Sequence, residues 1–262
     1  MNNPLVAVHM IVKNEEQWVW YAIQSVINYV DKLLIYDTGS TDKTVEIIKT
    51  IKSEKIMFME KGSVTPEGFV KLRNEQVRHT KTEWFFLLDG DEVWPEKTVQ
   101  ELISVIKNSG PELLGLVFKT RIPLGDLFHF QTETAGKYHI LGKIGHYNLR
   151  IYRKLPGYSW VGEYPLEAYA DSQGTTIQDQ SSHLKLLSGE YWHLHHLKRS
   201  SVGIHRKPKK ELGEIATVHL PEVFFKSRPP LVPSPWISYS QKEKILVHII
   251  TPLLMAKRYW LK

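Results

Sequence analysis

From Leu5 to Asn108 the chain alternates short apolar runs with amphipathic stretches of helical period, and few folds accept such a pattern. Leu5 to Val12 (Leu-Val-Ala-Val-His-Met-Ile-Val) is nearly continuously apolar, as a strand covered on both faces must be. Trp18, Ala22, Val26 and Tyr29 then recur at helical spacing. Lys32 to Tyr36 reads as a second strand, Asp37 to Ser40 as a turn, and Thr41 to Ile51 as a helix. Lys55 to Met59 is a third strand, Glu67 to Thr80 a helix, Trp84 to Leu88 a fourth strand, and Pro95 to Asn108 a helix with proline at its start. Strands interleaved with helices imply right-handed crossovers, and so an α/β fold with a mostly parallel central sheet and helices on both faces.

In such sheets ligands collect beyond the carboxyl ends of the strands. Three polar clusters, Lys13 to Glu16, Asp37 to Asp42 and Asp89 to Glu92, each follow a strand directly and are predicted to converge on one rim. The sharpest is Phe85-Phe86-Leu87-Leu88-Asp89-Gly90-Asp91-Glu92, an apolar strand delivering two carboxylates spaced by a glycine. Residues two apart in extended chain point the same way, and Gly90 permits a sharp turn between them. Carboxylates together with diphosphate oxygens are the hard ligands that Mg²⁺ or Mn²⁺ prefers. The same acids would also suit the amino terminus of the helix after Pro95. At the second turn, backbone N–H groups can meet a nucleotide. Ser40 or Thr41 can cap the following helix there, which leaves Asp37 for a ligand.

Composition narrows the chemistry. With 262 residues, 42% hydrophobic and 24% charged, the chain supports one large domain with an appendage. It has no cysteine, which excludes disulfides, thiolate nucleophiles and Cys-held metals, so any metal must sit on oxygen and imidazole. The formal charge of +6 suits an anionic partner. The excess gathers late, at Lys198, Arg199, Arg206, Lys207, Lys209 and Lys210 and again at Lys257, Arg258 and Lys262. Met1 to Leu5 lacks the features of a secretory leader, so the expected location is cytoplasmic.

Met10 to Glu16, Tyr36 to Asp42, Arg73-Asn74 and Leu87 to Glu92 resemble, in order and spacing, the family 2 glycosyltransferases of the Rossmann-like GT-A fold. The resemblance covers residues 5 to 120 and thins beyond. It implies a nucleotide-diphospho-sugar donor (a UDP-, GDP- or dTDP-sugar), a divalent cation (Mn²⁺ or Mg²⁺) and inversion at the anomeric carbon. It implies that Val12, Asn14, Glu15, Asp37, Arg73, Asn74, Asp89 and Gly90 line the donor site, with Asp37 on the base or ribose and Asp89 and Asp91 as the DXD metal ligands. Many members carry two adjacent acids after the second strand. Here Thr38 follows Asp37, which leaves the base open.

An inverting transfer also needs a carboxylate to take the acceptor's proton. Related bacterial members carry an Arg-rich strand followed by an aromatic residue, a glycine and a His-Glu pair, and Leu149 to Arg153 followed by Trp160, Gly162 and Glu167 is similar. Leu166 stands where that histidine is expected. Glu167 is the first candidate for the base and Glu163 the second. GT-A enzymes often add a late histidine to the metal's shell. Of His193, His195 and His196, the first two would share one face of an extended segment, and His195 is the chosen candidate.

Residues 123 to 146 show little periodicity and read as a loop over the rim. The prolines between Lys226 and Pro235 suggest an extended linker, dividing the chain into a GT-A domain over 1 to 225 and a linker with a basic amphipathic helix over 226 to 262. The apolar run within Lys242 to Lys262 is too short and interrupted to cross a bilayer. It fits an interfacial helix with Lys257, Arg258, Tyr259 and Trp260 at the headgroups, or a helix packed on the domain. The expected activity is hexosyl transfer in polysaccharide biosynthesis, onto a glycan or lipid-linked acceptor, with membrane contact through that helix and no nucleic-acid partner. The rivals are a nucleotidyltransferase, whose Gly-rich basic loop is absent from Met10 to Glu16, and a non-catalytic nucleotide- or nucleic-acid-binding module, for which no phosphate-loop or helix-turn-helix pattern is found.

Overall fold

The computed structural model describes residues 5–202, 209 and 211–260. Arg206, Lys207 and Lys210 of the basic stretch, Lys262, and the side chains of Lys257, Arg258, Tyr259 and Trp260 lie outside the described part. The strands are β1 (Val6–Val12), β2 (Lys32–Asp37), β3 (Ile56–Glu60), β4 (Trp84–Leu87), β5 (Glu92–Val93), β6 (Gly115–Arg121), β7 (His129–Phe130), β8 (Tyr138–Ile140), β9 (Lys143–Gly145), β10 (Tyr147–Arg153), β11 (Ser159–Val161), β12 (Ala168–Ala170), β13 (Leu184–His193) and β14 (Glu214–Ile215). The helices are α1 (Val19–Val26), α2 (Thr44–Thr50), α3 (Pro66–His79), α4 (Glu96–Lys107) and α5 (Gln241–Trp260).

Eight strands form one mixed, mostly parallel sheet in the order β3-β2-β1-β4-β10-β6-β13-β5. The first four are mutually parallel, β10 runs against both neighbours, β13 is parallel to β6, and β5 runs against β13. This is the mostly parallel α/β sheet expected from the strand–helix alternation.

Every residue of β1 is buried. One face of the sheet (Val8, Met10, Leu33, Ile35, Phe86) packs on α1, α2 and α4, while the other (Phe85, Leu87, Val117, Leu149) packs on α3 and the β11–β12 hairpin. Beneath the rim, Trp94 is 1% exposed and its ring stacks on Tyr191 at 4.5 Å, with Phe86 at 4.7 Å and Phe118 at 4.8 Å. Truncating such a side chain to alanine costs about 3–5 kcal/mol.

Three details depart from expectation. Helix α2 starts at Thr44, because Asp42 Oδ1 accepts from Thr44 N at 2.9 Å, and neither Ser40 nor Thr41 caps it. Residues 123–146 hold short paired segments, with β7 against β14 and a β8–β9 hairpin. The proline-rich stretch is extended but docked: Tyr21 Oη donates to Pro233 O at 2.7 Å, Gln17 Nε2 donates to Ser234 O at 2.7 Å, and Val232 is buried in the main core.

Candidate active site

The three polar turns meet because β2, β1 and β4 are parallel neighbours, with Val12 opposite Asp37 and His9 opposite Leu87. Asn14 adopts φ 57°, its N–H donates to Ser40 Oγ at 2.9 Å, and its Oδ1 accepts from Thr41 N at 2.8 Å. The Val12 carbonyl accepts from Thr38 N at 2.9 Å. Asp37 is 3% exposed and accepts from Gly39 N (2.9 Å), Ser40 N (3.0 Å) and Ser40 Oγ (2.5 Å). Asp37 thus builds the second turn.

Just after β4 the carboxylates of Asp89 and Asp91 turn to different surroundings. Asp89 keeps 34% of its side chain exposed, Asp91 only 3%, and Glu92 none. The acids do not cap α4, whose Glu96 N–H donates instead to Glu222 Oε2 at 2.9 Å. His193, at the end of β13, sits opposite Glu92 in the sheet ladder, and its Nε2 lies 3.4 Å from Asp91 Oδ1. One ligand atom each from Asp89, Asp91 and His193 falls within 4.8 Å of the others, and among the described residues this is the group fitted to hold a metal ion. The strand stops at His193, so His195 leaves the extended line and its ring packs on that of His193 at 4.3 Å. The sequence reading favoured His195 for this place.

Arginines surround the acids. Arg150 Nη2 donates to Asp89 Oδ2 at 3.1 Å and to Glu92 Oε1, and its Nε donates to Tyr191 Oη at 3.2 Å. Arg199 pairs with Glu15 through Nη2, and its Nε lies 3.2 Å from Asp91 Oδ2. Arg73, 4% exposed, sits between Asp89 Oδ1 and Glu167 Oε1 at 4.0 Å from each. Its Nε and Nη1 have no hydrogen-bond partner among the described residues. Burial pushes the Asp89 carboxyl up, but Arg150, His193 and Arg73 outweigh that and hold it below its usual value. Burial pushes Glu92 up to about 7. Burial lowers His193, and Asp91 and Glu92 more than reverse that, leaving it raised.

Of the two base candidates, Glu167 is the one brought to the rim: 12% of its side chain is exposed, and burial raises its pKa. Its Oε2 has no hydrogen-bond partner among the described residues. Glu163 is exposed in the loop before it. Asn74 Nδ2 donates to Trp160 O and its Oδ1 accepts from Trp160 N, both at 2.8 Å, tying α3 to β11. A Cβ on Gly90 would stand 2.8 Å from Glu15 Cγ and 3.1 Å from Val12 Cγ1, so the first and third turns are in contact. In the sequence Arg150 stands out only as part of an Arg-rich strand, Arg199 only within the late basic excess, and His193 only as one of three clustered histidines.

A cavity of about 380 Å³ opens elsewhere, between the end of α4 and the start of β13, and shares no residue with the acidic rim.

The sequence profile of Glycosyl transferase family 2 matches residues 7–187. An uncharacterized glycosyltransferase of Haemophilus influenzae is 31% identical over 116 residues, 41% of this chain and 45% of that protein. The glycosyltransferase SunS of Bacillus subtilis is 24% identical over 106 residues, 40% of this chain and 24% of that protein. The chain thus spans less than half the length of these relatives. Among solved structures, Staphylococcus aureus TarS 1-349 in complex with UDP-GlcNAc aligns with a TM-score of 0.50 at 14% identity, covering 77% of this chain and 60% of that one. At that identity the likeness concerns the fold.

Proposed function

The chain belongs to glycosyl transferase family 2, and on that premise we propose that it transfers a hexosyl group, with inversion, from a nucleotide-diphospho-sugar held at the acidic rim. The observation that carries the reading is the convergence of Asp89, Asp91 and His193 within 4.8 Å at the carboxyl edge of the parallel strands. Two carboxylates and an imidazole suit Mn²⁺ or Mg²⁺, which would neutralise charge growing on a departing diphosphate. Arg150 holds Asp89 and Glu92 in place beneath that position. Val12, Asn14, Glu15, Asp37 and Gly90 shape the adjoining turns, where a UDP-, GDP- or dTDP-sugar would lie.

Glu167 is proposed as the base that takes the acceptor hydroxyl's proton. Its raised pKa lets it accept a proton nearer neutrality than an ordinary carboxylate. Arg73 lies between Glu167 and Asp89, so base and metal side share one rigid support. The test is hydrolysis of UDP-, GDP- and dTDP-sugars with Mn²⁺ or Mg²⁺ by the purified chain. Release of free sugar and nucleoside diphosphate supports the reading, whereas release of sugar 1-phosphate and nucleoside monophosphate indicates attack at the nucleotidyl phosphorus and ends it.

The proposed acceptor is a glycan or a lipid-linked precursor of a surface polysaccharide, reached at a membrane. Among the described residues no helix is long and apolar enough to cross one. Helix α5 carries two apolar stripes. Val247 and Thr251 face the protein, where Thr251 Oγ1 accepts from Leu212 N at 2.7 Å, while Ile245 (65% exposed), Ile249 (62%) and Leu253 (67%) face outward. Lys242 and Lys244 stand exposed at its start, matching an anionic bilayer. Co-sedimentation with phosphatidylglycerol vesicles should fail for Ile245→Asp/Ile249→Asp. Equal pelleting of that variant and the parent would remove the membrane claim and leave the donor chemistry standing.

A further inference from the structure

We infer that Arg150, steadied by Tyr191, ties up one oxygen of Asp89, so that the acidic rim admits a small octahedral ion such as Mn²⁺ or Mg²⁺ and discriminates against Ca²⁺. The inference rests on the metal reading of Asp89, Asp91 and His193 above. Arg150 reaches the acids because of a register shift: Leu149 pairs with Val117 and Ile151 with the adjacent Leu116, which makes Arg150 the extra residue of a bulge in β10. A bulge re-aims the side chain it carries. Arg150 Nη2 donates to Asp89 Oδ2 at 3.1 Å and to Glu92 Oε1, while Glu92 Oε2 accepts from Asp89 N at 3.3 Å. Asp89 Oδ1 stands 4.0 Å from Arg73 Nη2, beyond hydrogen-bond reach, and 34% of the side chain is exposed. The two oxygens of Asp89 are therefore unequal: one is held by a fixed cation, and the other is open to an ion.

Tyr191 supplies the steadying contact and is a positioning residue. It sits opposite Thr120 in the ladder between β13 and β6, it is wholly buried, and its Oη accepts from Arg150 Nε at 3.2 Å. Thr120 is hydrogen-bonded to Tyr191 and accepts in turn from Asn148 Nδ2 at 2.7 Å, so the phenol is fixed from both β6 and β10. With Nε engaged by Tyr191 and Nη2 by two acids, the planar guanidinium cannot turn without breaking a hydrogen bond. An ion chelated by both oxygens of Asp89 would press on that guanidinium, and two cations repel. Ca²⁺ takes about six to eight oxygens and accepts carboxylates through one oxygen or both, whereas Mg²⁺ demands a near-ideal octahedron and Mn²⁺ accepts the same set. Limiting Asp89 to one oxygen therefore removes a ligand that the larger ion would use and the smaller ions do not need.

Mn²⁺ binding to the full chain is measured by loss of the free-ion electron paramagnetic resonance signal, and Ca²⁺ binding by competition, without nucleotide and with UDP or GDP. The variants are Arg150→Lys, Tyr191→Phe and the two together, all of which keep the parent's charge. Lysine keeps the cation but not the fork, so the preference for Mn²⁺ over Ca²⁺ should fall about tenfold in Arg150→Lys. Loss of one hydrogen bond to the guanidinium should lower it about threefold in Tyr191→Phe. Because Tyr191 acts through Arg150, adding Tyr191→Phe to Arg150→Lys should change the preference no further. Tyr191→Phe alone keeps the test decisive if Arg150→Lys does not fold. A preference that stays at the parent's value in the variants, with both ions weakened alike or neither weakened, overturns the inference in favour of a structural ion pair. A parent that binds Ca²⁺ as tightly as Mn²⁺ overturns it too, as does a double variant that shows the sum of the single effects. A parent that binds neither ion under any of these conditions overturns the metal reading itself, and the inference with it.

Discussion

Arg73 Nε lies 4.0 Å from Glu167 Oε1, close enough for charge attraction and too far for a hydrogen bond. A buried cation and a buried acid thus face each other at a distance that a substrate proton or a small donor atom could close.

Glu167→Gln should bind donor as the parent does and lose about 10²- to 10⁴-fold in turnover, the usual range for a removed general base. Burial raises the Glu167 pKa against the opposing pull of Arg73. A base works ionised, so activity falls as pH drops through that raised pKa. The acid limb of kcat/KM should therefore lie above 4.5, the ordinary value for this carboxyl, and move higher in Arg73→Gln. A limb that stays in place in Arg73→Gln argues that the base is another group.

Asp91→Asn preserves size and removes the charge that faces both His193 and Arg199. We expect turnover to drop by at least about 10²-fold, as when a key electrostatic group is removed, with no rescue by excess Mn²⁺ or Mg²⁺. Near-parental turnover would count against the metal role of Asp91.

Asn74→Asp keeps the acceptor for Trp160 N but loses the donor to Trp160 O. Leaving that carbonyl unpaired should cost about 1–3 kcal/mol in urea unfolding. Because β11 leads into the Glu167 loop, turnover should fall more than donor affinity does.

His9 stacks on Phe85 at 4.7 Å with Nε2 2.5 Å from Thr80 Oγ1, and burial, then Arg73 and Lys154, holds its pKa well below 6.5. A depressed histidine contributes stability that is complete above the unfolded pKa of about 6.5 and is lost as pH falls below it, because only the unfolded chain then takes the proton. Glu92, raised to about 7, has the opposite sign between 4.5 and that value, so the useful quantity is the difference between parent and His9→Gln. That difference should shrink as pH drops below about 6.5, by no more than about 1.4 kcal/mol per pH unit. A flat difference would mean that His9 titrates normally.

The half of the sheet built from β1 to β4 was legible because each strand is followed by a helix with its own apolar period, and because short turns between neighbours place Asp37 and Asp89 on one rim. The other half was not. Strand β5 is two residues long, and it is defined only by its pairing with the far end of β13, which sets His193 opposite Glu92. The expectation of His195 rests on an extended segment that continues past His193, whereas β13 ends there. Arg150 and Arg199 reach the acids through long-range pairing, which neither the Arg-rich strand nor the late basic excess that contains them specifies. Asp37 was legible as important but not as the acceptor that builds its own turn.

The missing side chain at Gly90 also has a mechanical consequence. A Cβ there would meet Glu15 and Val12, Asn14 is hydrogen-bonded to Ser40, and Glu15 is paired with Arg199. The loops behave as interlocked teeth: even alanine at position 90 would wedge the first turn outward and carry the second turn and the arginine with it. A lesion at a residue with no chemistry of its own should therefore register at once as altered donor affinity and a looser grip on the ion.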